Sequence, residues 1–376
     1  MPVSESRRPV VALVTDAVFP YHRGGKETRY HEIARRLADR AEVHVYTMRW
    51  WGEPPREGAV SYHALTPLVP LYSRERRSIR QALVFALGCL TLLVRRFDVI
   101  EADHMPYVQL FPLRLVATLR RKRLIVTWHE VWGPAYWRGY LGPLGRVGWW
   151  LERLAMRLPD VIIAASPETA ERLRERLGDR ATIAVAPNGV DLEEIRGAPP
   201  APQRTDLVVV GRLLDHKRID LLLDAVARLR EAGVEASCRI IGDGPQREAL
   251  HAQAERLGVA DLVDFRHDVA GQRELYSLLK AGRVFVFPSA REGFGVAVLE
   301  ALACGLPVVT TSAPDNLARH LVTRAADGIV CEPSAEAIAV SVQRVLAGSR
   351  RDGAPAWVSG FDWDSVTARV AEVVLA

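Results

Sequence analysis

The stretch FPSAREGFGVAVLEALACGLPVVTT, residues 287–311, decides how the chain is read. Its periodicity predicts a strand over 284–288, a carboxyl-end loop over 289–293, a helix over 294–303 and a second strand over 307–310. Strands that are apolar on both faces and joined through a helix are the repeating unit of a buried parallel sheet with right-handed crossovers. Glu292 then stands at the helix entrance and Glu300 about two turns inside it. Gly293 and Gly295, with Phe294 between them, allow a tight turn and close backbone approach, and the free amides of a helix start donate to an anion. The segment therefore predicts a phosphate site with two carboxylates beside it, and ionised carboxylates accept hydrogen bonds from sugar hydroxyls strongly. The alternative is a Glu292 that only caps the helix and a Glu300 on a solvated face.

Working outward, the same unit recurs along the chain. The runs VVALVT, VHVYT, DVIEA, LIVTW, VIIAA and TIAVA are followed by LVVVG, CRIIG, LVDF, VFVFP, PVVTT and GIVC, each separated by segments of helix length. Two doubly wound, Rossmann-like α/β domains follow, which suits 376 residues at roughly 150 per domain. GAPPAPQRT, residues 197–205, has three prolines and no periodicity and is the linker candidate. The expected boundaries are 1–196 for the first domain, 206–356 for the second, and 357–376 for a C-terminal amphipathic helix, started by Asp362 or Asp364, that packs on either domain. Open parallel sheets take ligands outside the carboxyl ends of their strands, so two such domains predict a site in a cleft between them.

Composition narrows the function class. Hydrophobic residues are 49% and charged residues 25%, which excludes disordered and disulfide-dense chains. Net charge is +5, but the first 200 residues carry an excess of +8 and the remainder −3, so the first half is the one expected to face something anionic. Arginines scattered around helices, with no recognition motif, argue against nucleic acid. Cys89, Cys238, Cys304 and Cys331 form no CxxC pair and read as reduced buried thiols of a cytoplasmic protein. The N-terminus lacks an apolar signal region, and the longest apolar run, residues 82–94, is too short to span a bilayer.

The E-x(7)-E spacing of REGFGVAVLE, followed by ALACGLPVV, resembles the family-4 retaining glycosyltransferases, which have the two-Rossmann-domain architecture called GT-B. The resemblance extends over most of the chain. It implies transfer of a sugar from a nucleotide diphosphate donor with retention of anomeric configuration, Glu292 contacting the donor sugar and Glu300 the ribose. GRLLDHKRID resembles the family's G-R-x(4)-K element, which assigns the donor diphosphate to Arg212 and Lys217; a guanidinium fork and an ammonium can neutralise it with no cofactor and no metal. Lysine is scarce, four against 46 arginines, which makes Lys217 more telling.

Other segments match in order. Gly24 and Gly25 in HRGGKE resemble the family's Gly-Gly loop, whose backbone approaches the donor phosphate or the acceptor, and Glu27 suits the helix dipole. Asn188 in VAPNGVD and Gly242 and Gly244 in IIGDGP resemble elements near the nucleotide, although turn chemistry alone accounts for them. His129 in LIVTWHE matches the histidine beside the transferred sugar and is the choice for the catalytic centre, able to hydrogen-bond a hydroxyl or stabilise developing charge. Two departures stand out. In DVIEADH, Glu101 takes the place of a usual histidine and His104 falls one position late; in SAPDNLARH, Ala313–Asn316 replace a Gly-Gly loop and His320 a usual Glu.

The acceptor is expected to be a glycan or lipid-linked species, in cell-envelope polysaccharide or glycolipid synthesis. Residues 73–96, an apolar helix between arginine clusters, and the aromatic stretch 131–150 predict peripheral contact with an anionic membrane on its inner face; packing against the sheet is the alternative for both. A nucleotide-sugar epimerase or phosphorylase on the same fold, or a non-catalytic sugar-nucleotide-binding subunit, are the rival functions.

Overall fold

The computed structural model describes residues 7–22, 24–55, 58–73, 76–348 and 353–376. The chain divides into two compact units, the first running to Asn188 and including Trp363–Ala376, the second spanning Gly189–Asp362. The division falls at Asn188, not at residues 197–205. Ala198 is buried in the apolar core of the second unit and Ala201 packs against it, so the segment that reads as a linker is anchored there.

Unit 1 is a seven-stranded sheet of β1 (Val10–Val14), β2 (Glu42–Met48), β3 (Val60–Thr66), β4 (Val99–Asp103), β5 (Arg123–Trp128), β6 (Val161–Ala164) and β7 (Ile183–Val185). The strands are all parallel, in the order β3-β2-β1-β4-β5-β6-β7. Its helices are α1 (Gly25–Leu37), α2 (Ile79–Gly88), α3 (Leu110–Arg120), α4 (Pro134–Leu141), α5 (Gly145–Ala155) and α6 (Pro167–Leu177). The third strand escapes sequence reading because VSYHALT alternates polar and apolar residues. Residues of α1 and of the C-terminal helix, Trp363–Val374, cover one face of the sheet, where Tyr30, Ile33 and Val370 meet Leu13 and Ile125. α2, α3 and α5 cover the other, where Phe85, Leu113 and Ala155 meet Val14 and Val126. The helix expected over 73–96 is shorter: Ser78 caps α2 through its hydroxyl, which accepts from the Gln81 amide, and a 3-10 segment, Cys89–Val94, follows. Arg74 and Glu75 lie outside the described residues.

Unit 2 is a six-stranded parallel sheet of β8 (Thr205–Val210), β9 (Cys238–Ile241), β10 (Val263–Arg266), β11 (Gly282–Phe287), β12 (Val308–Thr311) and β13 (Ile329–Cys331), in the order β10-β9-β8-β11-β12-β13. It is wrapped by α7 (Leu192–Gly197), α8 (Ile219–Glu231), α9 (Arg247–Arg256), α10 (Gln272–Lys280), α11 (Val296–Ala303), α12 (Arg319–Val322) and α13 (Ala335–Ala347). In both sheets the order reverses beside the first strand, between β1 and β4 and between β8 and β11. In open α/β sheets such switch points open a crevice outside the carboxyl ends, which makes the loops after these strands the candidate site. Both sheets are apolar on both faces, and each buried Val, Leu or Ile contributes about 1.5–3 kcal/mol.

Candidate active site

In unit 2 the switch-point loops bring the sequence-predicted residues together. Lys217, in the turn between β8 and α8, extends its ammonium to Glu292 Oε2 at 2.5 Å and lies 5.0 Å from the centre of the Phe287 ring. Glu292 is not at the helix entrance. It sits in a two-residue strand, Arg291–Glu292, paired with Asp315–Asn316, and the Leu317 amide donates to its carbonyl at 2.9 Å. Burial raises the Glu292 pKa, but Lys217 and the Phe294 amide more than offset this and hold the carboxyl below the usual range. The Phe294 amide, expected among the anion donors, therefore serves Glu292, while the Phe294 ring is buried against Phe361.

Gly293 lies between Glu292 and Phe294, and Gly295 caps α11 with φ of +93°, where an added Cβ would meet the Ala318 Cβ at 2.4 Å. Only glycine fits that turn. Glu300, in α11, is buried and its pKa is pushed up to about 7 by burial, against a stabilising hydrogen bond from Tyr276. Arg212 is exposed on the loop that follows β8. Gly242 and Gly244 have a demonstrable packing reason: a Cβ on the first would lie 1.9 Å from the Gly211 carbonyl oxygen, and on the second 2.5 Å from that of Leu213. They let the β9–α9 loop press on the backbone that carries Arg212. His216, which the motif reading passed over, has its pKa pushed down to about 4 by burial and by Arg291 and Lys217.

In unit 1 the α1 start and the ends of β1, β4 and β5 form a charged cluster. Lys26, next to Gly24 and Gly25, reaches Asp16 Oδ1 and Asp103 Oδ2, each at 2.7 Å. Arg77 and Gln81 also hold Asp16, at 2.5 and 3.2 Å. Glu27 is buried at the first turn of α1, with His22 Nδ1 at 3.2 Å. Asp103 lies 3.1 Å from His104 Nδ1 and 3.8 Å from His129 Nε2. Burial raises the Asp103 pKa, yet Lys26 and the two imidazoles outweigh it and hold the carboxyl far below its ordinary range. Burial pushes His129 down to about 3, so its imidazole is neutral across the physiological range, able to donate from one nitrogen and accept at the other.

The strand parity explains the placement. Glu101 and Asp103 alternate with Ile100 and Ala102 on β4 and face α1, while Thr127 and His129 do the same from β5. The Tyr30 hydroxyl and Thr127 hydroxyl both donate to Glu101 Oε1, at 3.0 and 2.5 Å, and burial pushes Glu101 to about 7. His104 points the other way, against Trp128 and Tyr107. Asp103, His104 and His129 offer ligand atoms within 4.8 Å of one another, the one such triple among the described residues, but Lys26 already supplies a cation to that carboxylate.

Asn188 is not grouped with Glu300: it belongs to unit 1, is buried, and its Oδ1 lies 3.4 Å from Arg29 Nη1. Much of the aromatic stretch is core. Trp137 Nε1, the Trp132 amide and the Tyr107 hydroxyl all donate to the buried Glu152 carboxylate, at 2.8, 2.7 and 3.2 Å. Lys26, Asp16 and Asp103 were missed by motif reading; the scarcity of lysine that marked Lys217 applied equally to Lys26.

Residues 23–194 match the family model described as Glycosyltransferase Family 4, and residues 191–353 that described as Glycosyl transferases group 1. The chain is 27% identical over 406 residues to a GDP-mannose-dependent alpha-(1-6)-phosphatidylinositol monomannoside mannosyltransferase of Mycolicibacterium smegmatis, covering 96% of this chain and 97% of the relative. Sucrose-phosphate synthase from Thermosynechococcus elongatus superposes with a TM-score of 0.74 at 19% identity, covering 97% of this chain and 98% of that one. Anabaena HepE, solved with UDP-glucose, superposes at 0.72 with 19% identity over 98% and 99%. Two adjoining family matches that run from residue 23 to residue 353, laid over two parallel sheets with matching switch-point loops, make the chain a glycosyltransferase of GT-B fold.

Proposed function

We propose that the chain transfers a sugar from a nucleotide diphosphate donor to a hydroxyl of a glycan or lipid-linked acceptor, with retention of anomeric configuration and on the cytoplasmic side of the membrane. The observation that carries the reading is the Lys217–Glu292 pair at the β8/β11 switch point, with the Gly293–Gly295 turn and the buried Glu300 on the same loop and helix. A relative that uses a GDP-mannose donor on a phosphatidylinositol mannoside and a structural neighbour holding UDP-glucose support the substrate class. Cysteines that are buried or half-buried and show no CxxC spacing suit a reducing compartment.

Unit 2 binds the donor. Arg212 and Lys217 take the diphosphate, and the Gly293–Gly295 turn lets the backbone come close to it. Glu300, with the Gly242–Gly244 loop, serves the nucleotide, and Glu292 accepts from the sugar hydroxyls. Breaking the anomeric bond places negative charge on the diphosphate and positive charge on the ring. Preorganised cations stabilise the first without a metal, and Glu292, held ionised, the second. Neutral His129 donates a hydrogen bond to a hydroxyl of the transferred sugar. The leaving diphosphate accepts the acceptor proton on the same face, so no protein nucleophile is needed.

A panel of nucleotide sugars read as nucleoside diphosphate release fixes the donor, and NMR of the product fixes the stereochemistry. Inversion would refute the mechanism. A nucleotide sugar epimerised without an acceptor would refute the transferase reading, and a Glu292→Ala variant that kept its turnover would remove the residue assignment.

A further inference from the structure

The large apolar side chains left exposed are distributed very unevenly. Of fifteen among the described residues, fourteen lie in unit 1, and Val340 alone lies in unit 2. On α2 they are Ile79, Leu83 and Leu87, spaced four residues apart; on α3 they are Phe111, Leu115 and Leu119, with the same spacing. α5 adds Val147, Trp150 and Leu154. That spacing puts each set on one stripe, opposite the residues by which the same helix is buried, such as Phe85 on α2 and Leu113 on α3. Each helix is therefore apolar on both its inner and its outer side, which water alone does not favour. α1 and the C-terminal helix, on the other face of the same sheet, carry none of the fifteen.

The three stripes belong to one layer. Arg114 of α3 donates to the Leu158 carbonyl just beyond α5, and Arg120 to the Leu93 carbonyl in the 3-10 segment after α2. The charge is one-sided too. Segments 76–96, 107–123 and 134–157 hold fourteen arginines or lysines, of which Arg77 turns inward to Asp16 and Arg123 to the Val373 carbonyl, and a single carboxylate, Glu152, which is buried. Of the carboxylates flanking these segments, Asp98 and Asp160 are already paired with Lys122 and Arg114, and Glu130 accepts from Trp132 Nε1. A cavity of about 630 Å³ on the α4–α5 hairpin is lined by Trp149 and by Arg138 and Arg146.

We propose that the outer face of α2, α3 and α5 docks on a bilayer containing anionic phospholipid. Apolar side chains enter the headgroup boundary, and arginines with apolar stems meet the phosphates around them. The helices lie in the surface, since 10 and 11 residues cannot cross a hydrocarbon core of about 30 Å, and no described helix is long and apolar enough to do so. The charge commits the face to an anionic surface, as neutral lipid offers nothing to the arginines. The inference stands on exposure and charge, whichever sugar is transferred.

Co-sedimentation of the full chain with phosphatidylcholine vesicles, with and without one third phosphatidylglycerol, tests it. Binding is expected only to the anionic vesicles and to fall as salt rises. The Arg80→Gln/Arg146→Gln variant is expected to bind roughly 25-fold more weakly, at about fivefold per cation near the surface. The Leu83→Ser/Leu115→Ser/Trp150→Ser variant is expected to lose at least tenfold while keeping its thermal midpoint and its release of nucleoside diphosphate in solution. No binding to anionic vesicles at low salt, equal binding to neutral ones, or full binding by the triple variant overturns the proposal. So does light scattering that shows a dimer which the triple variant dissolves, because the face would then belong to a second copy.

Discussion

Glu300 offers a quantitative test of the donor site. Its carboxyl is buried, with the Tyr276 hydroxyl as hydrogen-bond donor, and burial pushes its pKa up to about 7. If the carboxylate accepts from the ribose hydroxyls, donor binding requires the ionised form. About 3% of the protein holds that form near pH 5.5 and about three quarters near pH 7.5, so affinity should rise roughly 25-fold between them, or about 1.9 kcal/mol. A nucleotide diphosphate sugar does not itself titrate in this window. His216 and His129, pushed down to about 4 and about 3, stay neutral through it. Glu101 and Glu152 do titrate near 7, which is why Glu300→Gln is the control. That variant should bind at pH 7.5 about as weakly as the wild type does at pH 5.5, with little slope of its own. Isothermal titration calorimetry with UDP-glucose and GDP-mannose measures both. A wild type whose affinity does not change across the window, or a variant with the same slope, refutes the role of Glu300.

Lys217→Ala removes the ammonium from a largely buried carboxylate and from the proposed diphosphate site, so donor affinity should fall about 10- to 100-fold by calorimetry, as expected for charge-assisted hydrogen bonds; unchanged affinity would place the phosphate elsewhere. Gly242→Ala forces a Cβ to 1.9 Å from a backbone oxygen at φ of +145°, and should cost about 2–4 kcal/mol, lowering the thermal midpoint by roughly 5–15 °C in a scanning fluorimeter. An unchanged midpoint would show that the loop relaxes freely. Glu101 is pushed up to about 7, so its contribution to stability is full below its ordinary pKa of 4.5 and is lost as pH rises through 7. Glu101→Gln keeps an acceptor for Tyr30 and Thr127 without the charge, and should raise stability at pH 8 relative to pH 5 by about 1–3 kcal/mol; equal denaturant midpoints at both pH values would contradict it.

The sheets were legible because a strand buried on both faces leaves a nearly continuous run of Val, Ile and Leu, and VVALV or VVTT can mean little else beside helix-length spacers. β3 was not legible, since Ser61 and His63 break its run at the edge of the sheet, where a face can stay wet. The boundary misled for a similar reason. Prolines in 197–205 mark an irregular segment, but irregularity is not freedom: the Ala201 amide donates to the Ser277 carbonyl, and the Lys280 ammonium to that of Ala198 at 2.7 Å. Local composition reports the backbone conformation and not the contacts that tie it down.

The clusters of the two units differ in the same way. Glu292, Gly293, Gly295 and Glu300 lie within nine residues, so their relation is set by one turn and one helix and survives in the sequence as a spacing. The unit 1 cluster has no such record. Lys26 meets Asp16 across ten residues and Asp103 across 77, and only the parallel pairing of β1 with β4 puts the two carboxylates side by side. That pairing also accounts for the departures at 101 and 104. A residue two before Asp103 shares its face, so Glu101 looks toward Tyr30 and Thr127, whereas His104 falls on the opposite face and reaches the site only by folding its Nδ1 back to the Asp103 carboxylate. One carboxylate then serves Lys26 and two imidazoles, with the cation the closest of the three at 2.7 Å. His129, 3.8 Å from that carboxylate, is held neutral by burial, the state that the proposed hydrogen bond to a sugar hydroxyl requires beside a ring that gains positive charge.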